Sequence, residues 1–294
     1  MLRTNKDKLV MQSLIGEISH PTPGSDIKYI VTSEGKPMVL PSVGGISYNV
    51  RIGDTIVGLV GDHIEPGVSI KYLGEENSAK RFNAALNTYA CIGNEVLVVS
   101  GEAKGEKGYV TGKHGGVEHV IVDFKTEVME KLVVGDKMQV RGFGTGLKLL
   151  DYAEIMVMNI DPNLLEKIEI NELNDQYLKF PVTHEIPAKI MGSGLGAMQT
   201  YSGDFDIQLF DEDTIREYDL EDLRFGDFIA ITDMDSSYGR YYKPGAITIG
   251  VIVHGYCWCS GHGPGVVTIM TSKDGKITPE MMPDANLKKY LSML

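Results

Sequence analysis

Apolar residues in this chain come in short runs closed off by Gly, Pro, Asn or Asp. That spacing constrains the fold more than any other feature. The runs at residues 27–32, 56–60, 95–100, 119–124, 137–141, 228–232 and 247–254 are each five to eight residues long. Runs of about four to eight residues between turn formers predict β-strands. Helical periodicity is confined to residues 75–89, where Ala79, Phe82, Ala85 and Leu86 recur at helix spacing, and to two short stretches, 164–168 and 286–293. Strands do not alternate with helices, which argues against a doubly wound nucleotide-binding sheet.

One phrase occurs three times: an apolar approach, a Gly-Asp pair and an alternating run. It is centred on Gly53-Asp54, Gly135-Asp136 and Gly226-Asp227. Gly enters positive φ without steric cost and Asp bonds its own backbone, so each copy predicts a turn feeding a strand, an architectural element rather than a catalytic one. The glycine clusters at residues 142–146 and 192–196 match neither the dinucleotide fingerprint nor a P-loop, and are expected to be tight turns or anion nests. There is no Gly-x-Ser-x-Gly elbow.

Residues 95–124 place a strand before a Gly-rich turn (Gly101, Gly105, Gly108), a second strand after it, and a third at residues 119–124. This pattern resembles the KOW-type motif of SH3-like barrels, which implies a small barrel that in other proteins contacts RNA or protein. Here Lys104, Lys107 and Lys113 are balanced by Glu102, Glu106 and Glu118. RNA binding needs a basic excess, so the resemblance carries the barrel and not a nucleic-acid partner. At wider scale the chain resembles a prokaryotic family catalogued as a domain of unknown function (number 4438). The phrases that carry it are residues 40–50, 61–68, 110–119, 191–196 and 261–266. The resemblance implies mostly β, soluble proteins and no stated activity. With 294 residues and roughly 100–200 residues per domain, the expectation is a mainly β, multi-domain chain. It comprises a β-rich segment with one helix (1–90), an SH3-like or KOW-like barrel (91–157) and a second β-rich domain (158–294), with few short helices.

Charge and cysteine content narrow the function classes. Net charge is −12, and residues 203–235 hold twelve acids against Arg216 and Arg224. An acidic face repels phosphate backbones and attracts cations, although most charge runs are solvated surface. Three cysteines, Cys91, Cys257 and Cys259, argue against a disulfide framework and for a reducing, cytoplasmic setting. Residues 1–20 carry charges and a Gln within their apolar run and do not read as a signal peptide. No run approaches the roughly 20 apolar residues of a membrane helix.

The chemistry-bearing residues sit in glycine-rich loops. Asp62-His63 precedes Glu65-Pro66-Gly67; His114 and His119 flank Gly115-Gly116; His254, Cys257, Cys259 and His262 fall within nine residues. Imidazole and carboxylate ligate zinc, iron or manganese and also move protons. The spacing of 254–262 does not match a structural zinc site, so both thiols are expected in the core. Asp233 and Asp235, two apart at a strand end, offer oxygen ligands, and Arg240 offers a clamp for an anion. Asp204 and Asp206 share that alternation. The expected catalytic set is His63, His114, His119, His262 and Arg240. The expected metal set is Asp62, His63, Asp233, Asp235 and His262, holding a divalent Zn, Fe or Mn ion. The reading is a small-molecule enzyme, a metal-assisted hydrolase, with a rhythm of Gly-Asp, Asp and Gly-His-Gly similar to acetamidase-type amide hydrolases; no residue is carried over from that similarity. The alternative is a non-catalytic binding module for protein, metabolite or RNA. A homo-oligomer, paired through barrel edges and the Tyr-rich stretch 238–244, is also expected.

Overall fold

The computed structural model describes residues 2–23, 29–74, 76–174 and 176–291. Residues 27 and 28 of the expected strand, residue 75 of the expected helix and residues 292 and 293 of the last expected helix lie outside them. The chain is mainly β. Among the described residues five α-helices form, and only α1 (Glu76–Tyr89) exceeds six residues.

Six strands close into an antiparallel barrel: β1 (Gln12–Ile18), β2 (Gly67–Lys71), β3 (Glu95–Val98), β4 (Lys107–His114), β5 (His119–Asp123) and β6 (Lys137–Gly142). Their order is β1-β6-β3-β4-β5-β2, and β2 returns to β1 through Glu17 opposite Lys71 and Ile18 opposite Ile70. Strands β3, β4 and β5 are consecutive antiparallel neighbours, as the glycine-rich hairpin implied. Two barrel strands, β1 and β2, come from before residue 91. Val68, Ile70, Val96, Val110, Val120 and Val140 fill the interior, and Leu86 of α1 packs onto the same core. Closure leaves no open edge in these six strands.

The second sheet comprises β7 (Met156–Val157), β8 (His184–Pro187), β9 (Phe205–Asp206), β10 (Phe228–Asp235), β11 (Tyr241–His254) and β12 (Gly265–Ser272). Its order is β7-β12-β11-β10-β8, and β9 also pairs with β12. Among the described residues of this sheet, the β8–β10 pair is parallel and the other pairs are antiparallel. A three-stranded sheet (Asn171–Asn174, Tyr177–Val182, Ile277–Met281) completes this half.

The two halves meet along β4, β5 and β11. Every residue of β5 is buried, because Val120 and Val122 face the barrel while Ile121 joins the core of the second half. A strand buried on both faces reads as a continuous apolar run rather than an alternating one. At Gly112 an added Cβ would lie 2.6 Å from Val253 Cβ, so β4 and β11 approach closely where no side chain intervenes.

The three Gly-Asp phrases fold into one turn repeated. Gly53, Gly135 and Gly226 have φ of +93°, +91° and +85°. In each copy the Asp N–H donates to the carbonyl three residues back, and its carboxylate accepts that residue's N–H at 2.8–3.0 Å. The second and third turns feed β6 and β10. The first does not feed a strand: residues 56–60 are irregular with a turn at 57–58, and this copy instead pairs with the third through the Thr55–Arg224 bridge. The acidic run also divides. The exposed helix Glu212–Glu217 bears the solvated charge, whereas Asp204, Asp206, Asp227 and Asp235 are buried. Among the described residues no helix is long and apolar enough to cross a membrane.

Candidate functional site

Histidines from four separate segments converge where the barrel meets the second sheet. His114 ends β4, and His63 lies in the loop before β2. His254 ends β11, and His262 lies in the loop before β12. Ring centroids are 4.0 Å apart for His114–His254, 5.1 Å for His63–His254 and 5.3 Å for His63–His262. Asp204 and Asp206 complete the cluster. Phe205 between them is buried in the core, so strand alternation turns both carboxylates to the opposite face, toward the imidazoles.

Local structure accounts for each placement. His63 takes a left-handed backbone, φ +53°, rare for a residue with a β-carbon. The loop is pinned there by the His63 N–H on Tyr256 O (3.0 Å) and the Gly255 N–H on Ile64 O (2.9 Å). The Gly115 N–H donates to Asp204 Oδ1 at 2.6 Å, and the Gly263 N–H to Asp206 Oδ2 at 3.3 Å. A Cβ on Gly263 would fall 1.7 Å from Ile207 O, so only glycine lets this backbone come so near.

Three of these imidazoles are anchored alike. His63 Nδ1 is 3.2 Å from Asp62 Oδ2, His114 Nδ1 2.6 Å from Glu65 Oε1, and His254 Nδ1 3.1 Å from Gly255 O. An acceptor on Nδ1 keeps the proton there and leaves Nε2 for the cluster. Glu65 also accepts from His119 Nδ1, from Ser69 Oγ and from the Gly44 N–H. His119 therefore braces Glu65 and does not enter the cluster.

Buried carboxylates and imidazoles here shift one another's ionisation. Burial pushes the Asp206 carboxyl up, but His254, His262 and His63 outweigh it and hold the pKa far below the usual range. Burial likewise opposes ionisation of Glu65, and His119 and His114 hold it well below its ordinary value. Burial lowers the His254 pKa, yet Asp204 and Asp206 raise it well above normal. His114 is lowered by burial and by its neighbour His254, which favours the neutral ring. His254 Nε2 lies 2.7 Å from Asp204 Oδ2, a buried imidazole–carboxylate pair. Two sets of three groups have their ligand atoms all within 4.8 Å of one another: His114, Asp204 and His254, and His63, Asp206 and His262.

Five of these six side chains line a cleft of about 490 Å³; His254 lies behind it. The remaining wall is largely residues 193–203 and 115–118. Arg240 is buried beside this wall, over the Phe205 ring, and donates to the carbonyls of Gly194, Gln199 and Gly203. It thus holds the wall in place with the donors that a substrate clamp would need. A further set, Asp62, His63 and Cys257, is also within 4.8 Å. There burial, first, and then Asp62 raise the Cys257 pKa, which keeps the group a thiol.

Of the residues singled out from the sequence, His63, His114 and His262 come together here, with Asp62 behind His63 and His119 behind His114 on Glu65. Asp233 and Asp235 do not: Asp233 accepts the Gly245 N–H, and Asp235 accepts from Ser237, Thr271 and Tyr241. Glu65, Asp204, Asp206 and His254 are the cluster residues missing from the expected sets. Asp204-Phe205-Asp206 and Asp233-Met234-Asp235 share one alternation, so spacing alone does not separate them.

Comparison with known proteins places the whole chain. The model of the family "Domain of unknown function (DUF4438), N-terminal" matches residues 29–166, and that of its C-terminal counterpart matches residues 167–291. No curated protein matches the chain. A solved structure, "Crystal structure of TM1086", is 49% identical over 99% of both chains, with a TM-score of 0.92. The chain belongs to the DUF4438 family, with the N-terminal and C-terminal domains in tandem.

Proposed function

We propose that this protein is a metal-dependent enzyme, a hydrolase acting on a small polar substrate in the cleft between its two halves. The observation that carries the reading is the convergence of His63, His114 and His254. Each is fixed at Nδ1 from behind, and all face two buried carboxylates, with ligand atoms in sets of three within 4.8 Å of one another. A divalent cation such as Zn, Fe or Mn suits these mixed imidazole and carboxylate donors.

His114, Asp204 and His254 would hold the ion, with Glu65 orienting His114. Such an ion polarises a carbonyl and lowers the pKa of water to about 7. His262 stands at the mouth with its side chain 46% exposed, placed to exchange protons with substrate and solvent. Asp62 orients His63 by the same carboxylate–imidazole contact. Arg240 acts through the wall, keeping residues 194–203 at a fixed distance from the carboxylates. The binding-module alternative has less support, because a site for passive docking has no need of this donor set.

Elemental analysis of the purified full chain tests the proposal, followed by chelation, reloading and assay on a panel of small amides, esters and lactones. Stoichiometric metal, at least tenfold weaker retention in His254→Ala and metal-dependent turnover are expected. A chain that takes up no Zn, Fe or Mn at excess refutes the metal centre. Metal uptake without turnover on any class refutes the hydrolase and leaves a metal-binding module.

A further inference from the structure

Building on the metal-centre reading, we infer that the site is binuclear. A second cation would be held at the rim by His63, Asp206 and His262, with Asp206 bridging the two positions. The key is how Asp206 is oriented. Its Oδ1 faces the buried set, 3.5 Å from His254 Nε2, while its Oδ2 faces the rim, 3.2 Å from His262 Nδ1 and 3.9 Å from His63 Nε2. One carboxylate thus presents a different oxygen to each group of imidazoles. Paired ions in hydrolytic centres lie about 3.5–4 Å apart, a separation that one bridging carboxylate spans.

The inner set already has its own oxygen ligand in Asp204, whose Oδ1 accepts the Gly115 N–H and whose Oδ2 lies 2.7 Å from His254 Nε2. Asp206 is therefore not needed to complete the inner site. The Gly263 N–H donates to its Oδ2. His262 Nδ1 and His63 Nε2 converge on that same oxygen, and the three groups keep their ligand atoms within 4.8 Å of one another. With Asp206 shared, the rim ion would have three protein ligands and an open position, and the inner ion four, with room to expand to five on taking a substrate oxygen. The rim ion would face the cleft directly, because its three ligands all line it. The inner ion would sit deeper, with His254 and the sheet behind it. A substrate oxygen entering the cleft would meet the rim ion first and could then span both.

The test counts ions. The chelated full chain is titrated with Zn²⁺, passed through gel filtration and analysed for bound metal. A second sample is loaded with Mn²⁺ and examined by electron paramagnetic resonance. About two ions per chain are expected, with an exchange-coupled Mn²⁺ spectrum. His262→Ala, a change at the half-exposed rim, should retain about one ion and lose the coupling; His262→Gln serves if the alanine variant fails to fold. One ion per chain in the parent, unchanged by His262→Ala, overturns the second site and leaves the single-ion reading standing. Two ions without coupling overturn the Asp206 bridge. No bound ion at saturating Zn²⁺ overturns both readings.

Discussion

Lys113, the residue before His114, shows how strongly single side chains are committed at this interface. It is fully buried, and its ammonium donates to Asn159 Oδ1 and to the carbonyls of Tyr201 and Thr88. Burial lowers its pKa from 10.5 to about 8. Between those values the unfolded chain binds the proton and the folded chain releases it, so stability rises with pH across that window. In Lys113→Met, melting in chelator is expected to lose this rise between pH 8 and 10, relative to the parent. Equal slopes in the two proteins would show that Lys113 keeps an ordinary pKa. Asn159, with φ +55°, carries the same bond network to Thr200 and Thr268, and so links the cleft wall to the second sheet.

At the scale of elements, the repeated Gly-Asp turn separates backbone preference from packing. An L-residue in the left-handed region loses about 1–2 kcal/mol. A Cβ on Gly135 would meet nothing within 4 Å, so Gly135→Ala should cost about that much in denaturant unfolding. At Gly226 a Cβ would come within 2.9 Å of Ile52 and 3.2 Å of Asn286 Oδ1, so Gly226→Ala should cost clearly more. Equal losses would mean that neighbours yield freely at the paired turns. These turns, the hairpin of β3 to β5 and the α1 helix were readable from spacing because each rests on local chemistry. Residues 56–60 were not. Their apolar pattern suits a strand, but the pairing of the first turn with the third takes the Ile56 N–H onto Leu223 O, and the chain then turns at 57–58.

For the whole molecule, the cluster exists only while the barrel and the second sheet are in register. His63 and His114 come from one half, and Asp204, Asp206, His254 and His262 from the other. Gly112 lies at the contact and bears no ligand. Gly112→Val would drive a side chain into Val253, an overpacking strain of about 1–3 kcal/mol. It is expected to weaken metal retention at least tenfold with far-ultraviolet circular dichroism unchanged. Full retention at lowered melting temperature would mean that the site survives a shift of the interface.

The amino-acid order alone determined the strands, the turns and the identity of most of the histidines that matter, because period-two burial, glycine conformations and imidazole chemistry are properties of short segments. Folding in three dimensions decided which carboxylates join them. Asp204 and Asp206 face the imidazoles, and Asp233 and Asp235 face hydroxyls and a turn, although both pairs flank a buried apolar residue in the same way. Glu65 and His254 acquire their roles only from partners 49 and 50 residues away, His114 and Asp204. No local pattern encodes an encounter at that separation, since it is fixed by how two cores pack.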